Sequence, residues 1–152
     1  MSKNSAAPED VANGAEAGML RGRNLGVSLT VKDLQKSLAW YRDVVGFAVG
    51  RKIERDGKLR GVALKAGDVE LSINQDDGAK GWTRIKGEGF SLRIVTDQSV
   101  DEIAERIKKS GHTLDTEPTD MPWGARIIRL RDPDGFKLSI SHPLPPGEAP
   151  KK

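Results

Sequence analysis

Two stretches of the chain repeat one pattern of apolar and polar positions. Leu25, Val27, Leu29 and Val31 alternate with Gly26, Ser28 and Thr30, and further on Phe90, Leu92 and Ile94 alternate with Ser91, Arg93 and Val95. A period of two marks a strand with one face on a core. After each strand the period lengthens to that of a helix. Asp33 is placed to cap a first helix whose inward stripe is Leu34, Leu38, Tyr41 and Val45, with Gly46 as its stop. Residues 100–110 form a second helix with Ile103 and Ile107 inward, ended by Gly111. Short strands follow each helix: one from Phe47, then 60–66 and 69–74 around Gly67-Asp68, and later 126–130 and 136–141 around Asp132-Pro133-Asp134-Gly135. The closing strands share Leu-Ser-Ile, at 71–73 and 138–140, and the stretches 75–89 and 117–124 read as loops.

If each helix covers the apolar face of its own strands, the opposite faces are polar and look into a central space. Those faces carry Gly26, Ser28, Glu70, Ser72, Ser91, Arg93, Ser139 and Ser141. Small hydroxyl residues leave volume, and one carboxylate with one guanidinium can orient a ligand within it.

Composition narrows the classes. A chain of 152 residues suffices for one domain, expected at residues 20–142, with a disordered leader at 1–19 and a Pro-rich tail at 143–152. The absence of cysteine excludes disulfides, thiolate metal sites and cysteine nucleophiles. No apolar run is long enough to cross a membrane and no signal-peptide core is present, so a cytoplasmic location is expected. The net charge of +3 comes from 25 basic and 22 acidic residues interspersed along the chain, which argues against nucleic acid as a partner.

Two segments carry a resemblance to a known family. Residues 27–34 (VSLTVKDL) with 37–47 (SLAWYRDVVGF) look like the opening module of the vicinal oxygen chelate superfamily, which includes glyoxalase, extradiol dioxygenases and bleomycin-resistance proteins. Trp123-Gly124-Ala125-Arg126 followed by Asp132-Pro133-Asp134-Gly135 looks like its second module, most like the bleomycin-resistance branch. The resemblance implies an α+β fold of two βαβββ modules, here about 23–76 and 88–142, forming a cupped mixed sheet with helices on the outer face, usually in a homodimer. It also implies where a metal would sit, because the family's metal enzymes place His or Glu on the first and last strand of each module. Carried over residue by residue, those positions are Gly26, Glu70, Ser91 and Ser139. Only Glu70 matches a ligand type, whereas a catalytic metal needs about three strong protein donors. His112, just after Gly111, and His142, at the mouth of the tail, do not complete the set.

Each remaining candidate has a plainer alternative. Arg93, between Leu92 and Ile94, calls for a partner: Glu70, an anionic ligand or a dimer mate. Trp40 belongs to the core. Trp82 and Trp123 lie in loops, where they either stack on a flat ligand or serve dimer contacts. Arg126 either reaches into the pocket or ties down its own loop. The reading is a metal-independent binder of a small organic ligand, with no cofactor, extending to sequestration of an antibiotic or another flat or anionic compound. Its contacts are expected at Ser28, Glu70, Ser72, Trp82, Ser91, Arg93, Trp123, Arg126 and Ser139. The alternative is a lyase, isomerase or dioxygenase of the same superfamily, with Glu70 as general base or partial metal ligand. A third class is an interaction module whose cup is filled by its own side chains.

Overall fold

The computed structural model describes residues 18–146, so residues 1–17 of the expected leader and 147–152 of the expected tail lie outside the described residues. Its elements run β1 (Ser28–Val31), α1 (Leu34–Ala39) with a π-helical continuation (Trp40–Val45), β2 (Ala48–Arg55), β3 (Lys58–Ala66), β4 (Val69–Gln75), β5 (Ser91–Val95), α2 (Val100–Lys109), β6 (Thr116–Met121), β7 (Ala125–Arg131) and β8 (Lys137–Pro143). They form two four-stranded sheets, β1-β4-β3-β2 and β5-β8-β7-β6. The first and last strands of each module pair in parallel, and the other neighbours pair antiparallel. This is the expected α+β duplication.

The first helix begins and ends at the residues foreseen for it, and Ser99, which the sequence reading did not name, caps the second. Asp33 accepts the Lys36 N–H through its side chain at 3.1 Å, and Ser99 does the same for Glu102 at 3.3 Å. Gly46 sits at φ 109°, a left-handed conformation that closes the first helix, and both Gly46 and Phe47 donate N–H bonds to the Tyr41 carbonyl. The π-helical turn was not foreseen. It brings the sequence neighbours Trp40 and Tyr41 inside together, edge to face with ring centroids 4.8 Å apart.

One apolar core serves both modules. Leu29, Val31, Leu38, Tyr41, Leu64 and Ile73 from the first share it with Ile103, Ile107, Ile128, Leu130 and Leu138 from the second. Two polar links lie across the same boundary. The Tyr41 hydroxyl donates to Asp132 Oδ2 at 2.8 Å in a buried setting, and Arg106 Nη2 donates to the Val45 carbonyl. Asp132 also accepts N–H bonds from Asp134 and Phe136, so the 132–135 turn organises itself around one buried carboxylate. Burial leads in raising the pKa of both Tyr41 and Asp132.

Three local expectations need correction. Leu25 is exposed and β1 begins only at Ser28, so the alternation overextended that strand toward the N-terminus. Residues 117–121, read as loop, belong to the edge strand β6, which contains Pro118. An edge strand tolerates a proline because one row of its N–H groups has no partner strand, and the pairing with β7 skips between Thr116 and Thr119. The tail begins later than its prolines indicated. Pro143 still pairs with Ala125, and the Leu144 N–H donates to the Gly124 carbonyl at 2.8 Å.

Candidate functional site

Register decides which polar residues stand together. On the first sheet Ser28 lies opposite Ser72 and Thr30 opposite Asn74, and Asn74 Nδ2 donates to Ser28 Oγ at 2.7 Å. Two residues before Ser28, Gly26 lines a pocket of about 340 Å³ together with Glu70, Ser72 and Arg51. This face is a strip of small polar groups with Glu70 near one end. On β3, Ala63 faces Ser72 and Lys65 faces Glu70.

The matching face of the second sheet is cationic. Ser139 on β8 lies between Arg93 on β5 and Arg129 on β7. One row below, Lys137 lies between Ser91 and Arg131. Strands stand about 4.8 Å apart, so the Arg93 and Arg129 backbones flank Ser139 with about 10 Å between them. Neither guanidinium hydrogen-bonds or ion-pairs with another described residue, whereas Arg131 bonds Asp115 at 2.9 Å. Arg129 was missing from the expected contacts, although parity could have found it: Ile128 and Leu130 point inward, so Arg129 must point out.

The register also bears on the implied metal positions. The residue level with Ser139 is Arg93, while Ser91 is level with Lys137. The implied positions Gly26, Glu70, Ser91 and Ser139 hold one carboxylate, one glycine and two serines, and the Arg93 guanidinium stands beside Ser139. A guanidinium donates hydrogen bonds and repels a cation, so this donor set does not fit a metal. Among the described residues no three His, Cys, Asp or Glu side chains are grouped to hold one. His142 Nδ1 is occupied, accepting the Val100 N–H at 3.2 Å.

The remaining candidates are scattered. Glu70 and Arg93 do not pair with each other; both are exposed on separate sheets. Arg126 makes a bidentate pair with Asp101 at 2.9 Å and a further bond to Asp120 at 2.7 Å, tying the β6–β7 hairpin to the start of α2. Those bonds lower the Asp101 pKa and raise that of Arg126. Trp123 projects from the tip of that hairpin, 63% exposed. Trp82 lines a cavity with Lys36 of α1 and Asp134 of the β7–β8 turn, away from Ser28, Ser72 and Ser139. None of the four described pockets joins the polar faces of the two sheets.

Comparison with known proteins agrees with this duplicated architecture. Residues 25–140 match the family model for the glyoxalase/bleomycin resistance protein/dioxygenase superfamily. The chain belongs to that superfamily. Among curated superfamily relatives, a lactoylglutathione lyase of Neisseria meningitidis is 29% identical over 126 residues, covering 78% of this chain and 88% of the relative. Among solved structures, a superfamily member from Sphaerobacter thermophilus superposes with a TM-score of 0.63 at 22% identity, covering 80% of this chain and 98% of the other. TnmS3, an antibiotic binding protein from a Streptomyces species, superposes with a TM-score of 0.60 at 22% identity, covering 82% and 98%. These likenesses concern the fold; the side chains on the two polar faces belong to this chain. Among the described residues no helix is long and apolar enough to cross a membrane.

Proposed function

We propose that this superfamily member is a metal-independent binder of a small anionic organic molecule, held between the polar faces of the two module types. The observation that carries this reading is the Arg93–Ser139–Arg129 row, which sets two guanidiniums without a partner among the described residues on either side of Ser139, one of the positions where the resemblance implies a metal ligand. Arginine holds carboxylate or phosphate bidentately, so the row can orient one such group. Ser91 supplies a further hydroxyl beside it. Ser28, Ser72 and Glu70 of the first face contact the rest of the molecule. Since each face is open within one chain, we propose that two copies form a homodimer in which the first face of one covers the second face of the other. The antibiotic-binding description of TnmS3 supports sequestration as the outcome.

The second reading, a lyase or isomerase with Glu70 as general base, is favoured by the lyase names of the curated relatives and by a Glu70 carboxylate that makes no ion pair among the described residues. One experiment separates the two. A calorimetric and thermal-shift screen of anionic aromatics should find a ligand bound in the presence of a chelator and released unchanged. Turnover of that ligand, abolished by Glu70→Gln with binding retained, would establish the enzyme. A stoichiometric metal in the purified protein, lost together with ligand binding on chelation, would overturn the metal-independent reading.

A further inference from the structure

The cavity that holds Trp82 lies on the side of the first module that carries α1, and its volume is about 680 Å³. That is ample for a small ligand. Its charged lining is Lys32, Lys36, Arg84 and Lys86 against Asp33 and Asp134. The bonding of these groups separates the struts from the free donors. Lys86 Nζ is engaged with the Thr30 carbonyl at 2.9 Å, Asp76 at 2.8 Å and Asp134 at 3.4 Å. Asp134 accepts the Lys32 N–H at 2.8 Å, and Asp33 caps Lys36 through its backbone. What remains is cationic. The Lys32 and Lys36 ammoniums have no partner among the described residues, and Arg84 commits a single nitrogen, to Asp76 at 3.1 Å.

Beside these free donors stands a fixed aromatic surface. Trp82 is 48% exposed and stacks on no other ring among the described residues. Its indole is nevertheless held in place, because it occupies the space that a Cβ on Gly78 would need. Gly78 has a φ of 77°, and its N–H is bound by Asp76 Oδ1 at 2.8 Å, so the platform is anchored to the carboxylate that holds Arg84 and Lys86. We propose that this cavity is a second binding site, separate from the polar faces, for a planar aromatic anion. Its ring lies on Trp82 and its charged group lies among Lys32, Lys36 and Arg84. Base-sized rings gain most from such a platform when the anion is answered at the same time.

The test is calorimetry on the full chain with 2-naphthoate and 2-naphthyl phosphate, and uncharged 2-naphthamide as the neutral counterpart. Binding of either anion that is lost in Trp82→Leu supports the site, and their ranking tells which group it prefers. The amide should bind at least tenfold more weakly, and added salt should weaken only the anions. Lys36→Glu, Lys32→Glu and Trp82→Leu should each reduce anion affinity at least tenfold with an unchanged circular dichroism spectrum. Lys109→Gln, exposed at the end of α2 and outside both candidate sites, should leave it within twofold. Equal binding of the amide, or indifference to both lysine reversals, would overturn the proposal. Loss of binding in Arg93→Gln and Arg129→Gln instead would place the probe on the polar face, rejecting this site while leaving the cup reading standing.

Discussion

The two modules share a topology, a helix position and a Leu-Ser-Ile closing strand, yet their polar faces differ in charge. The first carries Gly26, Ser28, Ser72 and Asn74, with Glu70 beside Lys65 and Arg51, and a cross-strand side-chain bond joins Ser28 to Asn74. The second carries Arg93, Arg129, Arg131 and Lys137 around Ser139. The inward faces of both are built from the same Val, Leu and Ile set. Core positions answer to packing, which the duplication reproduces; outward positions have no such constraint and are free to specialise. The closing turns differ as well. The 67–68 turn is exposed, whereas the 132–135 turn is built on a buried carboxylate bonded to Tyr41 of the other module.

The largest expected contrast lies between those turns. Asp132→Ala strands the Tyr41 hydroxyl and two backbone N–H groups, and should cost about 3–5 kcal/mol in denaturant unfolding. Asp68→Ala, at the equivalent exposed turn, should stay within about 0.5 kcal/mol. Equal losses would mean that Asp132 does not join the modules. The next contrast concerns the faces. Arg93→Gln or Arg129→Gln should weaken an anionic ligand of the cup by about 1.5–3 kcal/mol, while Ser28→Ala on the first face should change it by about 1 kcal/mol or less. Calorimetry that ranked Ser28 above the arginines would move the ligand's charged end to the first sheet.

A smaller effect is read as a slope against pH. The side-chain bond from Lys86, the Gly78 N–H and Arg84 together hold the Asp76 carboxyl well below its ordinary range. A depressed folded-state pKa stabilises the fold above the unfolded-state value, near 4, and that contribution fades as pH falls further toward the folded value. Thermal melting temperatures should therefore drop below about pH 4 more steeply in the natural sequence than in Asp76→Asn. Burial raises Asp132 in the opposite sense, so Asp132→Asn should steepen the acid limb. The smallest expected effect belongs to Arg126→Lys. With its guanidinium spent on Asp101 and Asp120, ligand affinity should remain within twofold, and a larger loss would return Arg126 to the binding site.

The duplication, both helices with their stops, the Asp33 cap and most inward residues were legible in order, because the period of apolar residues and the chemistry of Asp and Gly at helix ends are local properties. Strand β6 was not legible, since an exposed edge strand carrying Pro118 has neither alternation nor a hydrophobic face. The π-helical turn was hidden because its cause is distant: Tyr41 must enter the core and reach Asp132, 91 positions away.

The site was legible only as a set of outward residues. Parity along a strand says that Ser91, Arg93 and Ser139 face the same way, but it does not say which strand lies next to which or at what offset. Pairing with β8 put Arg93 level with Ser139, and pairing with β7 added Arg129 on the other side. Likewise, nothing in the order of residues distinguishes Arg126, consumed by Asp101, from Arg93, left free. The chain by itself determined where apolar surface must be buried and hence the duplicated scaffold. Only tertiary structure decided which charges are spent on one another and which remain for a ligand, because that depends on distances between segments far apart in sequence.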